Sequence, residues 1–106
     1  MKINEYQVEA LRTAGEADIV NGVLGLCGES GECADMIKKH KFQGHKLDTE
    51  HLAKELGDVA WYLAISAYAI GYDLETIMQM NVDKLRKRYP EGFKTDLSQN
   101  RKEGDV

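Results

Sequence analysis

The stretch that most limits how this chain can fold is VAWYLAISAYAI, Val59–Ile70. It shows no strand-like alternation, and apolar residues fill nearly every position. As a helix it presents no polar stripe to water, and a helix apolar on every side is buried on every side. The run is preceded by TEHLAKELGD, which Asp48 or Thr49 can cap, and Gly71 ends it, giving a helix over about Thr49–Ile70. A chain of 106 residues offers too little material to cover such a helix alone. The expectation is a homo-oligomer in which this helix meets its symmetry mate.

The flanking sequence reads as more helix. Asn4 as N-cap with Gln7 completing a capping box predicts a first helix, with Tyr6, Val8, Ala10 and Leu11 as its apolar face and a break at Gly15. A second helix runs from about Asp18 to about Phe42, with Val20, Val23, Leu24, Cys27 and Ala34 on one arc and Gly44 as the stop. Asp73 caps a fourth, carrying Leu74, Ile77, Met78 and Leu85, which Pro90 terminates. The fold expected is all-α: an antiparallel bundle of four main helices with short connections, completed by oligomerisation. One domain covers residues 1–93, and residues 94–106 read as a polar, mobile tail.

Composition narrows the function classes. At 42% hydrophobic with a single proline, the chain is too apolar for disorder. Fourteen basic residues against eighteen acidic ones give no basic face for a nucleic-acid polymer. The cations at Lys38–Lys41 complement a helix C-terminus. No apolar run reaches membrane-spanning length, and MKINEYQVEALR has no secretory core. Cys27 and Cys33 lie about 9 Å apart along one helix, too far to bridge within it. Free thiols of that kind fit a reducing, cytoplasmic setting. His40, His45 and His51 lie in or near polar sequence and read as surface groups.

Two acidic steps carry the chemistry. Glu29 and Glu32 in GLCGESGECADMIKK, and Glu55 and Asp58 in KELGDVAWYL, are each spaced i, i+3, so each pair projects from one side of its helix. A short loop separates the two helices, which lets the pairs face each other. Four converging carboxylates repel and raise one another's pKa unless a cation is present. All-oxygen ligation suits Mg²⁺ or Mn²⁺. The carboxylate di-iron alternative needs Glu-x-x-His steps, which are absent. Gly25, Gly28 and Gly31 each cost about 1 kcal/mol in a helix interior relative to alanine, which either close helix packing or room for a ligand would explain. Asn81, Lys84 and Arg88 form one polar, basic helix face able to donate to phosphate oxygens. Together these features point to metal-assisted attack of water on a polyphosphate.

The same words, with YQVEALRT near the start and NVDKLRKRYPEGF near the end, resemble the MazG-like all-α nucleoside triphosphate pyrophosphohydrolases over nearly the whole chain to Phe93. The family mark, E-x-x-E, a spacer, then E-x-x-D, is matched by Glu29, Glu32, Glu55 and Asp58. The resemblance implies Mg²⁺-dependent hydrolysis of a (deoxy)nucleoside triphosphate to monophosphate and pyrophosphate in a homodimer or homotetramer, as house-cleaning or pool regulation. By the same resemblance the four carboxylates are metal-binding and catalytic, and Asn81, Lys84 and Arg88 contact phosphates. Tyr62, more than Trp61, is the candidate base contact, although core packing suits both rings. Asp35 extends the acidic row. Many members carry a doubled glutamate where this chain has Gly28 before Glu29. Two other readings stand beside this one: the phosphoribosyl-ATP pyrophosphohydrolase branch, which shares the carboxylate pattern, and a non-catalytic helical binding or interaction module.

Overall fold

The computed structural model describes residues 1–106 and contains α1 (Ile3–Leu11), α2 (Ile19–Phe42), α3 (Thr49–Ala69), α4 (Leu74–Arg88) and α5 (Thr95–Gln99), with no strands. The chain is all-α, as its periodicity predicts. It divides into two compact units, Met1–Leu74 and Glu75–Val106.

In the first unit, local chemistry sets the helix ends. Asp18 accepts from the Val20 N–H at 2.7 Å and starts α2, and Asp48 accepts from the His51 N–H at 3.0 Å and starts α3. Gly44 at φ 70° and Gly71 at φ 86° follow the ends of α2 and α3, where the left-handed backbone stops a helix without a Cβ clash. The two helices run antiparallel: Gly22 of α2 lies on Ser66 of α3, and Gly25 lies on Tyr62.

Residue Asn4 does not cap α1. The N-cap is Lys2, and Glu5 accepts from its N–H at 3.2 Å. Gln7, expected in a capping box, is instead only 4% exposed and ties α1 to the far end of α3. Its Nε2 donates to the carbonyls of Ala64 and Tyr72, both at 3.2 Å, and its Oε1 accepts from the Leu74 N–H at 2.9 Å. A buried N–H stripped of that partner would cost about 1–3 kcal/mol. Around this node lies the core of Ala10, Ala64, Ile65 and Leu74, flanked by Tyr6, Leu11, Trp61 and Leu63.

Within the single chain, α3 is not buried on every side. Ala64–Ala67 are buried, whereas Leu56, Tyr68 and Ile70 stay more than half exposed. On α2 the apolar arc is open as well, with Val20 63% and Leu24 68% exposed. The second unit holds most of α4, then Tyr89 packed on Phe93 with ring centroids 5.4 Å apart, then α5 and a closing turn. There Arg88 Nε and Nη2 donate to the two oxygens of Asp105 at 2.8 and 2.7 Å. No helix is long and apolar enough to cross a membrane.

Candidate metal centre

Antiparallel pairing of α2 and α3 brings the acidic steps together. One carboxylate oxygen from each of Glu29, Glu32 and Glu55 lies within 4.8 Å of the others. Such a triangle suits ligands of one hard cation. Asp58 is exposed and stands outside it, though near enough for its charge to act on Glu29. It also faces α1, where burial first and the Asp58 charge second hold the Tyr6 hydroxyl above its ordinary pKa.

The electrostatics of the triangle are uneven. Glu29 is pushed up to about 7, first by a hydrogen bond with Glu55, then by burial and by the charges of Glu32, Glu55 and Asp58. Glu55 is held below the usual carboxylate range, first by that same bond, with help from Glu32 and His51. The bond between them thus favours the shared proton on Glu29 over Glu55. Glu29 Oε2 and Glu55 Oε2 are both buried without a hydrogen-bond partner. Buried carboxylate oxygens are rarely left unpaired, so a cation fits the donor set that these residues present.

Two residues border this centre that the sequence assigned elsewhere, His51 to the surface and Lys39 to the end of a helix. His51 Nε2 donates to Glu55 Oε1 at 3.1 Å, fixing the glutamate from one turn earlier on α3. Lys39 bonds Asp35 at 2.7 Å, and Lys38 stands 3.5 Å from the same carboxylate, which they hold below its ordinary range. Their i, i+4 spacings were the available signal, His51 from Glu55 of the second acidic step and Lys39 from Asp35 of the acidic row. A cavity of about 480 Å³ is lined by Gly28, Gly31, Glu32, Asp35, Met36, Lys39, His51 and Glu55.

The glycines divide by function. A Cβ on Gly22 would collide with Ser66, whose Cα is 3.3 Å from that position, and one on Gly25 would overlap the Tyr62 ring. At Gly28 and Gly31 nothing lies within 4 Å. The first two let the helices approach, and the second two leave the cavity wall open. The close approach also commits Tyr62, which covers Gly25 and meets Trp61 edge-on with centroids 5.0 Å apart. Trp61 Nε1 donates to Thr13 Oγ1 at 3.0 Å. Both rings thus take part in packing the first unit. Asn81, Lys84 and Arg88 belong to the second unit; Asn81 and Lys84 are exposed, and Arg88 is held by Asp105.

Comparison with known proteins decides the family. Residues 21–93 match the MazG nucleotide pyrophosphohydrolase domain. The chain belongs to the MazG family. The matched span runs from the first turn of α2 through α3 and α4, and so contains both acidic steps and the α4 basic face. A relative, the "Gene 37 protein" of Mycobacterium phage L5, is 34% identical over 114 residues, covering 95% of this chain and all of the phage protein. No solved structure matches the chain. Members of the MazG family typically depend on a divalent metal, and the Glu29–Glu32–Glu55 triangle provides an acidic cluster of the kind such an ion needs.

Proposed function

We propose that this MazG-family chain is an Mg²⁺-dependent pyrophosphohydrolase, with Mn²⁺ as a substitute ion, that splits a (deoxy)nucleoside triphosphate into monophosphate and pyrophosphate. The observation that carries this reading is the carboxylate triangle with two buried, unpartnered oxygens beside an open cavity. Glu29, Glu32 and Glu55 would hold the ion, with Asp58 completing the set from the next turn of α3. When bound, a divalent ion polarises water and offsets phosphate charge. The chain's own groups do the rest. Glu29 shares a proton with Glu55 and would release it when holding an ion, His51 orients Glu55, and Lys39 offers positive charge at the cavity wall. From the second unit we retain Asn81, Lys84 and Arg88 as donors to phosphate oxygens. The free thiols of Cys27 and Cys33 fit a reducing compartment.

A panel of ordinary and damaged nucleoside triphosphates, with and without Mg²⁺, tests this directly. We expect pyrophosphate release from at least one of them, and only with the divalent ion. No turnover by folded protein on any member of the panel would favour a binding module over an enzyme.

The functional unit is proposed to be a homodimer or homotetramer. The exposed apolar arc of Val20, Val23 and Leu24 on α2, with Leu56 on α3, is what a second copy would cover. Sedimentation equilibrium should give at least twice the chain mass of 11.9 kDa, and a monomer at micromolar concentration would refute it.

A further inference from the structure

The closing residues are not a trailing coil. The Asp105 N–H donates to the Lys102 carbonyl at 3.1 Å, and Gly104 between them takes φ 84°. That is a four-residue turn with glycine at the position requiring positive φ. It aims the Asp105 carboxylate at Arg88, where both oxygens are bonded in the paired geometry that guanidinium also uses for phosphate. The Arg88 side chain is left 9% exposed and that of Asp105 17%. Lys84 and Arg101 add their positive charge around Asp105, and the cavity beside them has a volume of about 440 Å³. A surface ion pair made only for stability needs neither this burial nor this ring of extra cations.

We propose that the Lys102–Asp105 turn is an intramolecular competitor for phosphate: Asp105 occupies the Arg88 guanidinium in the free protein, and a polyphosphate anion displaces it. This rests on the proposed role of Arg88 as a phosphate donor. The Nε–Nη2 edge of the guanidinium is taken, and a phosphate approaching the remaining edge would meet the Asp105 charge. With that edge taken and the side chain only 9% exposed, two-bond access to the Nε–Nη2 edge comes with the turn lifting. No covalent step is involved; one anion exchanges for another on the same donors. Binding of the substrate's phosphates and release of the turn are then one equilibrium, and any change that weakens the turn raises the apparent affinity for polyphosphate.

The test uses the full chain without divalent ions and inorganic tripolyphosphate as the probe, at low salt. Hydrogen exchange of residues 101–106 in the unaltered protein should speed up as tripolyphosphate saturates. Calorimetry should show Asp105→Asn binding tripolyphosphate roughly three- to tenfold more tightly, with fast exchange over 101–106 from the outset. Unchanged protection of 101–106 at saturation overturns the proposal, as does equal or weaker binding by Asp105→Asn. The first measurement needs no variant, so a misfolded substitution leaves the proposal open to refutation. Turnover is not read at all. A triphosphate panel without hydrolysis would remove the enzymatic reading and leave the competition at Arg88 standing.

Discussion

Replacing Glu29 by glutamine should make the metal-free protein more stable at neutral pH while lowering Mg²⁺-dependent turnover by at least about 100-fold, since even residues that only support metal ligands are worth 10–100-fold. The two effects have one cause. The Glu29 pKa of about 7 in the folded protein compares with an ordinary value of 4.5, so between those values the folded state binds the extra proton. Stability falls with rising pH wherever the folded state binds more protons. The contribution of Glu29 is thus favourable below about 4.5, declines as pH climbs, and is lost above about 7. Glu55 is displaced in the opposite sense, below the ordinary range, so its favourable contribution builds up as pH rises through the ordinary value of 4.5 and adds little slope well above it. The unaltered, divalent-free protein should lose Tm from pH 5 to pH 8, and Glu29→Gln should be flatter and higher at pH 8. Glutamine keeps a donor toward Glu55 but offers a cation no charge. Mg²⁺ should raise the Tm of the unaltered protein more at pH 8 than at pH 6, because the ligand must lose its proton to bind. It should leave the variant unmoved. A Glu29→Gln protein whose Mg²⁺-dependent turnover stays within tenfold would remove Glu29 from the metal centre.

The carboxylate triangle also marks what the sequence could convey. The i, i+3 spacing of Glu29 with Glu32, and of Glu55 with Asp58, placed each pair on one side of a helix, and the Asp48 cap with the Gly44 stop required a short α2–α3 connection. Those local signals sufficed for antiparallel pairing and for three of the carboxylates to meet. Which three was not legible, because the i, i+3 spacing of Glu55 and Asp58 is the same as that of Glu29 and Glu32, yet Asp58 lies outside the triangle. Gln7 failed for the same reason in sharper form. Its spacing from Asn4 satisfies a capping pattern, but its partners lie 57, 65 and 67 residues away. Three long-range bonds in a buried site outweigh one cap that competes with water. His51 and Lys39 look like ordinary polar surface in sequence and are largely that. They become neighbours of the metal centre only because Glu55 and Asp35 turn toward the cavity. Within the apolar run of α3, Tyr68 and Ile70 remain more than half exposed in the single chain, and the second copy expected to cover them belongs to the proposal.

The glycines of α2 show the same limit and allow the sharpest contrast in stability. Gly22, Gly25, Gly28 and Gly31 recur every third residue, so in sequence they are equivalent, each costing about 1 kcal/mol of helix propensity against alanine. In the fold they are opposites. At Gly22 the added methyl would press on the Ser66 backbone, and at Gly25 on an aromatic ring already fixed against Trp61. Ser66 and Tyr62 must both shift to admit the methyl. Overpacking of this kind costs about 1–3 kcal/mol, and the Ser66 side chain and Cα at Gly22 and the Tyr62 ring at Gly25 put both substitutions beyond what the propensity gain returns. Each should lower Tm by roughly 5–15 °C in a domain of this size. Gly28→Ala and Gly31→Ala meet no neighbour within 4 Å and should keep most of the gain, raising Tm by a few degrees, up to about 5 °C. They would also narrow the cavity beside Glu32 and Glu55, so a rise in KM for the triphosphate should accompany the rise in Tm. Thermal melts of the four alanine variants settle the division. Equal shifts across all four would mean that helix propensity alone governs them, and a fall at Gly31 matching that at Gly25 would mean that the wall beside the carboxylates is packed rather than open.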